Sequence, residues 1–219
     1  MKTRVFVADD HDIVRRGLAS MIRLESDLEL CGEAEDCTTA TSDVIRLRPD
    51  VVVVDISLRG NSGIELIKNI KSFDGMIRMV VFSVHDEAEY ALRVLKAGAK
   101  GYVSKQDIAS KVIDAIRKVR RGQMFVSEQV SILMLNRMVK GQEDESDSPV
   151  AGLSDRELEV VNLIGSGYAT REVAERLGMS VKTVETHRAH IKNKVNVSSA
   201  PQLAQFCFRW VEASKQCLA

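Results

Sequence analysis

The sequence lacks the signatures of several classes of protein. Its 31 basic and 31 acidic side chains cancel, so any binding to nucleic acid requires a local patch. The four cysteines show neither CxxC nor metal-ligand spacing, which argues against a zinc module and favours reduced thiols. No apolar run approaches the length of about 18 residues that a membrane helix needs, and no apolar export segment opens the chain. We therefore expect a cytoplasmic protein that does not enter the membrane.

The length and pattern of the chain indicate two domains. Its 219 residues exceed what one average domain requires. Short apolar strands alternate with helical patterns five times in the first half, which is typical of a doubly wound, parallel α/β sheet. The second half carries only helical patterns and predicts a small all-α domain. We place the α/β domain in residues 1–124, a linker helix and acidic tether in 125–150, and the helical domain in 151–219.

The central strand of the first domain is predicted from four consecutive valines, residues 51–54, followed by Asp55. Such a run indicates a strand that is buried on both faces. Taken alone, Asp55 could simply end the strand. Further polar residues also follow predicted strands, namely Asp9, Asp10, Ser83 and Lys105. Because the carboxyl ends of parallel strands meet at one edge of a sheet, we expect all five side chains to lie together.

This combination of side chains is suited to a phosphoryl group. Three neighbouring carboxylates repel one another and raise the pKa of at least one of them, a conflict that a hard divalent cation such as Mg2+ relieves. Lys105 adds a positive charge and Ser83 adds a hydroxyl donor. One carboxylate could then act as a nucleophile and form an acyl phosphate.

Residues 1 to about 124 resemble a response-regulator receiver domain, which has a flavodoxin-like fold. The resemblance depends on the acidic pair after the first strand, the lone Asp55, Ser83, Lys105, and Tyr102 three residues before the lysine. It implies that Asp55 is the phosphoacceptor and that Ser83 and Lys105 bind the phosphoryl group while Tyr102 turns inward.

The resemblance also implies a set of ligands for Mg2+. Asp10, Asp55 and the carbonyl group of Ser57 would hold the ion, and Asp9 would assist through water. The sequence departs from the family at Arg59, where proline is usual.

Two histidines of the first domain have more than one interpretation. His11, after the acidic pair, could donate a phosphoryl group, but a structural role or a role next to the ligands is the expectation. His85 is predicted to be an exposed loop residue.

The connector is predicted to begin with an amphipathic helix over residues 127–140. Residues 142–149 are acidic and contain no apolar side chain, so we expect a tether. Alternatively, this acidic run could compete with DNA for a basic surface.

The second domain predicts a helix-turn-helix. Ser154 and Glu157 form a capping box for its first helix, and Thr170 is predicted to cap the second. A glycine turn leads to Ser180, which caps a third helix over residues 181–194. A fourth helix is expected to begin at Pro201. Two short helices joined by a glycine turn are typical of the helix-turn-helix motif.

The third helix has two opposing stripes. Val184, His187, Ile191 and Val195 are predicted to face the core. The opposite side and its flanks are expected to contact DNA, by base edges or phosphates, through Lys182, Thr183, Glu185, Thr186, Arg188, Ala189, Lys192 and Lys194. Residues 153–219 hold nine basic and seven acidic side chains, a net charge of only +2, so we expect a dimer on two half-sites.

Residues 150 to about 212 resemble the LuxR-type tetrahelical DNA-binding domain of NarL/FixJ regulators. The resemblance is carried by Leu-Ser-x-Arg-Glu from Leu153, Glu-Val-Ala from Glu172, and Ser-x-Lys-Thr-Val-Glu-x-His from Ser180. Some members have lysine where Glu185 stands. A carboxylate accepts a hydrogen bond from cytosine N4, so the base preference should differ from that of those members.

Together the two resemblances imply a transcription regulator that is switched by phosphorylation. A sensor histidine kinase or phosphotransfer protein would phosphorylate Asp55, and a homodimer would then bind double-stranded promoter DNA. No enzyme activity is expected beyond Mg2+-dependent phosphorylation and dephosphorylation of Asp55 itself.

Two alternatives remain open from the sequence. A receiver-like domain without switching would leave a constitutive DNA binder. A phosphatase of the haloacid dehalogenase type also uses an aspartyl intermediate, but it requires a second carboxylate where Ser57 stands.

Overall fold

The computed structural model describes residues 2–58, 62–107, 110–140 and 149–216. The chain divides into two compact units, Met1–Leu135 and Asn136–Ala219, and each is described by itself. Among the described residues, no helix is long and apolar enough to cross a membrane.

The first unit contains a five-stranded parallel sheet. Its strands are β1 (Thr3–Ala8), β2 (Leu28–Ala34), β3 (Val51–Val54), β4 (Arg78–Ser83) and β5 (Gly101–Ser104). Their order across the sheet is β2-β1-β3-β4-β5, and every neighbouring pair is parallel. This order confirms the predicted doubly wound fold, and the strand order reverses between β1 and β3.

Helices cover both faces of the sheet. They are α1 (Asp12–Leu24), α2 (Cys37–Leu47), α3 (Gly63–Phe73), α4 (Glu87–Ala97) and α5 (Ser110–Arg120). Apolar residues of α1 and α5 pack on one face of the sheet. Helix α3 contacts both α2 and α4. With both faces covered, the valines of β3 are at most 1% exposed, as a four-residue β-branched run predicts.

Helix α2 ends next to a proline. Its C-terminal cap residue, Arg48, adopts the left-handed conformation, φ 46°, directly before Pro49. The helical region is disfavoured for a residue that precedes proline, so the helix does not continue there.

The segment after α5 closes the free edge of β5. The N–H of Tyr102 donates to the carbonyl of Phe125 at 2.8 Å, and the N–H of Phe125 donates to the carbonyl of Lys100 at 2.9 Å. The N–H of Ser127 then donates to Glu87 Oε1 at 2.9 Å, and its hydroxyl accepts from the N–H of Val130. Helix α6 (Glu128–Lys140) therefore starts from a fixed point beside α4 and β5. The predicted tether, residues 142–149, lies outside the described residues apart from Pro149.

The second unit consists of helices α7 (Asp155–Gly165), α8 (Thr170–Arg176), α9 (Val181–Lys194) and α10 (Ala200–Gln216). The capping box at Ser154 and Glu157 is present as predicted, and Ser180 accepts from the N–H of Thr183. The turn between α8 and α9 uses Gly178 with φ 62°, a conformation that glycine adopts without strain.

The predicted cap of α8 was wrong. Thr170 is the first helical residue, and Ala169 occupies the cap position. The carboxylate of Glu172 accepts from the N–H of Ala169 at 2.7 Å and satisfies it. The hydroxyl of Thr170 instead accepts from Arg188 on α9 at 2.8 Å, so it joins the two helices of the motif.

The close approach of α7 and α10 yields a prediction about stability. A Cβ added at Gly165 would lie 2.3 Å from the carbonyl oxygen of Cys207, a backbone atom. Gly165→Ala should therefore lower the free energy of unfolding of the second unit by about 1–3 kcal/mol. Trp210 is the chain's single tryptophan, so urea unfolding followed by its fluorescence measures this unit.

Gly17 offers the matched control, because a Cβ there meets no atom within 4 Å. Gly17→Ala in α1 should leave the Trp210 transition unchanged and stabilise the first unit by about 0.5–1 kcal/mol, followed by circular dichroism. Equal midpoints for Gly165→Ala and the wild type would contradict the packing described.

Candidate functional site

The first candidate site lies where β1 and β3 end, at the reversal of strand order. Asp9 follows β1 and Asp55 follows β3, and the N–H of Asp55 donates to the carbonyl of Ala8, which holds the two strand ends together. Both carboxylates are only 1% exposed. Lys105 follows β5 and reaches across from the other end of the edge. Asp9, Asp55 and Lys105 thus lie at the same edge of the sheet, as the sequence predicted.

Lys105 forms ion pairs with both buried carboxylates. Its Nζ atom lies 2.6 Å from Asp55 Oδ2 and 2.7 Å from Asp9 Oδ2. Burial raises the pKa of Asp9, the charge of Asp55 raises it further, and Lys105 opposes both effects only in part. Burial acts to lower the pKa of Lys105, but the two carboxylates outweigh it and raise that pKa. The ammonium group is therefore charged throughout the physiological pH range.

The donor atoms of this edge fit a divalent cation. One oxygen each of Asp9, Asp10 and Asp55, together with one ring nitrogen of His11, lie within 4.8 Å of one another. The three carboxylates carry more negative charge than one ammonium group neutralises, and hard cations prefer oxygen ligands of this kind. Burial is the largest cause of the raised pKa of Asp9, and the negative charge of Asp55 adds to it.

A second group of residues lies in the loops after β3 and β4 and in strands β4 and β5 themselves. Together with the carboxylates and Lys105, these residues form the receiver pocket. The N–H of Ser57 faces Asp55 Oδ1 at 3.4 Å, and its hydroxyl lies 2.8 Å from Nε2 of His85. Ser83 is fully buried, and its oxygen faces the N–H of His85 at 3.5 Å. Tyr102 is buried and donates from its hydroxyl to the carbonyl of His85 at 2.7 Å. Tyr102 already points inward in this structure, whereas the sequence predicted an inward turn on phosphorylation.

The prediction for His85 was wrong, because its ring is partly buried and belongs to the pocket. The ring lies against that of Tyr90, with 4.6 Å between the centroids and 30° between the planes. Burial lowers the pKa of His85, so the neutral ring is favoured. The available signal was its position two residues after Ser83, in a loop that leaves the same edge of the sheet. Arg59, the departure from the receiver pattern, lies outside the described residues.

The second candidate site is the outer side of α9. The side chains of Lys182, Thr183, Glu185, Thr186 and Ala189 are exposed, while Val184 and Ile191 are fully buried on the opposite side. His187 is partly buried, and burial lowers its pKa. The two predicted stripes are therefore both present, and the exposed one is accessible from solvent within this unit.

The basic residues that flank the exposed stripe differ in their contacts. Nη1 of Arg188 donates to the hydroxyl of Thr170 at 2.8 Å, and its Nε lies 3.8 Å from Glu185 Oε2. Nζ of Lys194 lies 2.7 Å from Oε2 of the buried Glu157. Sequence reasoning missed these contacts, since all the partners lie on other helices or one turn away. Lys192 is partly buried beside α10.

Comparison with known families identifies both units. Residues 5–117 match the response regulator receiver domain, and residues 151–207 match the bacterial regulatory proteins of the luxR family. The chain is 36% identical over 211 residues to the oxygen regulatory protein NreC of Staphylococcus epidermidis, covering 94% of this chain and 97% of NreC.

Solved structures of similar proteins agree with this identification. RcsB of Salmonella typhimurium is 26% identical with a TM-score of 0.68, covering 95% of this chain and 98% of RcsB. A second RcsB structure, bound to promoter rprA in the presence of the phosphomimetic BeF3−, is 25% identical with a TM-score of 0.63 and covers 94% and 98% of the two chains. The chain therefore belongs to the NarL/FixJ family of two-component response regulators, the DNA-binding transcription factors that join a receiver domain to a LuxR-type helix-turn-helix domain.

Proposed function

We propose that Asp55 accepts a phosphoryl group and that this modification controls dimerisation and DNA binding. The observation that carries the proposal is the position of Asp55. It is a buried carboxylate at the end of the central strand, 2.6 Å from the ammonium group of Lys105. No classical enzyme activity is expected of a transcription factor of this family.

The reaction proceeds by attack of an Asp55 carboxylate oxygen on phosphorus. The donor is a phosphohistidine of a partner kinase or phosphotransfer protein, or a small acyl phosphate. A new O–P bond forms while the bond from phosphorus to the donor's leaving atom breaks, and the electron pair leaves with the donor. Lys105 then pairs with a phosphoryl oxygen, and the hydroxyl of Ser83 donates a hydrogen bond to another. Hydrolysis of the acyl phosphate by water restores Asp55.

Residues of the acidic edge would hold Mg2+. Asp10, Asp55 and the Ser57 carbonyl are the direct ligands in this proposal, with Asp9 acting through water. When bound, the ion neutralises charge on the phosphoryl oxygens. The chain's own contribution is the fixed geometry of the strand ends, which keeps Asp55 and Lys105 in contact before any donor arrives.

The loop after β4 connects the pocket to the linker helix. Ser83 would bind the phosphoryl group. The residues that follow it, up to Glu87, contact strand β5 and the start of helix α6. The carbonyl of His85 accepts from Tyr102, and Glu87 accepts from the N–H of Ser127 at the start of α6. A shift of this loop would therefore change both contacts. The charge added by phosphorylation of Asp55 would in this way shift the equilibrium between two packings of the receiver.

The DNA-bound form is proposed to be a dimer. RcsB structures include complexes with promoter DNA in the presence of BeF3− and two RcsB dimers bound to two parallel DNAs. In this chain, Lys182, Thr183, Glu185, Thr186 and Ala189 would meet base edges in the major groove. Arg188, Lys192 and Lys194 would contact phosphates, and the contacts of Arg188 and Lys194 with Thr170 and Glu157 would orient them.

The proposed domain boundaries separate the phosphorylated unit from the DNA-binding unit. We propose the receiver in residues 1–124, the connector in 125–150 and the DNA-binding domain in 151–219. The two family matches, over residues 5–117 and 151–207, fall inside these limits. The proposed place of action is the cytoplasm, where promoter DNA is found.

The first prediction concerns the phosphoacceptor. Asp55→Asn should abolish Mg2+-dependent labelling by a small acyl phosphate, because the amide is not a nucleophile of comparable strength. Intact-protein mass spectrometry measures the label. Asp43→Asn, on α2, removes only an exposed ion pair with Arg46 and should label like the wild type. Persistent labelling of Asp55→Asn would refute the assignment.

The second prediction concerns the switch. BeF3− with Mg2+ should increase the dimer fraction and the affinity for DNA selected from random sequence, and Asp55→Asn should show neither change. Sedimentation and fluorescence anisotropy measure the two effects. A change of about 1.4 kcal/mol between the two packings corresponds to a tenfold change in their ratio. Equal affinity with and without BeF3− would support the constitutive DNA binder instead.

The third prediction concerns base recognition. Glu185→Ala should change the preferred sequence more than the overall affinity, because a carboxylate accepts from cytosine N4 whereas alanine does not. Lys192→Ala should weaken binding to all sequences and lower the salt dependence by about one unit of slope. Selection from random DNA compares the two variants. An unchanged preference for Glu185→Ala would count against the placement of α9 in the groove.

A further inference from the structure

His11 stands at the mouth of the receiver pocket and has no part in the phosphoryl transfer proposed above. It precedes α1, and its side chain makes no capping hydrogen bond to that helix. Its backbone N–H donates to Asp9 Oδ1 at 2.9 Å, which fixes the start of the side chain next to the acidic edge. The imidazole is therefore held near the carboxylates by its own backbone and is not engaged in starting the helix.

The Nδ1 atom of His11 is directed at the carboxylates. It lies 2.7 Å from Asp10 Oδ1, 3.4 Å from Asp9 Oδ1 and 3.9 Å from Asp55 Oδ2. Donor atoms bound to one octahedral ion at about 2.1 Å lie about 3.0 Å apart when adjacent and about 4.2 Å apart when opposite. The three distances fall close to that range, so one cation could contact Nδ1 and the carboxylate oxygens with small adjustments.

Nδ1 of His11 is a nitrogen donor beside three carboxylates, and this changes which ion is expected to bind most tightly. Mg2+ is bound through oxygen and retains several waters, whereas Mn2+, Co2+, Ni2+ and Zn2+ also accept imidazole nitrogen. The side chain of His11 is 59% exposed, so the imidazole lies at the solvent side of the carboxylates. Lys105 pairs with Asp9 Oδ2 and Asp55 Oδ2, whereas the shortest contact of His11 is with Asp10 Oδ1.

We propose that His11 is a nitrogen ligand of the cation in this pocket and makes the pocket prefer first-row transition dications, such as Mn2+, over Mg2+. The inference depends on the metal site of the proposed function, and it adds a residue that determines the choice of ion. It also gives His11 a role distinct from that of a phosphodonor.

The test measures metal binding to the full-length protein without any phosphoryl donor. Loss of the free Mn2+ signal in electron paramagnetic resonance gives the Kd for Mn2+, and competition gives the Kd for Mg2+. His11→Asn keeps a short polar side chain but removes the imidazole. It should weaken Mn2+ binding about tenfold or more and Mg2+ binding less than about twofold.

Two further variants separate the possible outcomes. His190→Asn is the matched control, since His190 is also 59% exposed and near a carboxylate, Glu157, and it should leave both Kd values unchanged. Asp10→Asn removes a proposed direct ligand and should weaken both ions. If Asp10→Asn weakens both ions and His11→Asn weakens neither or both equally, the role of His11 is overturned while the metal site stands. If Asp10→Asn binds both ions as the wild type does, the metal site of the proposed function is itself overturned.

A spectroscopic measurement on the wild type does not depend on any variant. Pulsed electron paramagnetic resonance of bound Mn2+ should show modulation from a directly bound nitrogen nucleus, and His11→Asn should lose it. Absence of this modulation in the wild type would overturn the proposal and would leave the short Nδ1 distance to Asp10 as an ion pair alone.

Discussion

The receiver depends on one electrostatic constraint, the burial of two carboxylates beside a single ammonium group. Asp9 and Asp55 are almost fully excluded from solvent, and Lys105 is shared between them. Charges in such a place are stabilised only if their partners are well positioned, and removing one partner leaves an uncompensated buried charge. The sheet supplies that positioning, because all three residues follow parallel strands. The remaining negative charge is what makes the pocket receptive to a cation.

Much of this arrangement could be predicted, because it follows from short runs of neighbouring residues. The valine run before Asp55 and the polar residues after other strands place the pocket by topology alone. For His85, topology predicts only a position near this edge of the sheet. Its contacts with Ser57 and Tyr90 depend on how the loop after β4 folds, which local sequence does not show. The packing of α2 on β2 likewise depends on residues far apart in the sequence. A Cβ at Gly32 would lie 2.7 Å from the end of the Leu47 side chain, so glycine there allows close packing.

The DNA-binding unit shows the same limit of local rules. A threonine before a helix is a common cap, yet Thr170 is the first residue of α8 itself. Its hydroxyl accepts a hydrogen bond from Arg188 instead of capping the helix. Lys194 lies over the buried Glu157, whose pKa burial would raise but which hydrogen bonds from Lys194 and Ser154 lower. Part of the unit's small positive charge therefore stabilises its own fold. What remains for phosphate contacts is modest, which is a physical reason for the proposed dimer on DNA.

The pairing of Phe125 with β5 determines what a proteolytic cut in this segment would expose. Phe125 occupies hydrogen-bonding positions of Lys100 and Tyr102 that would otherwise be open on an outer strand. Unpaired strand edges act as templates for strands of other molecules and promote aggregation. A proteolytic cut ahead of Phe125 would uncover that edge at the same time as it released the helices that follow. The residues that lead out of the sheet thus also protect it from self-association.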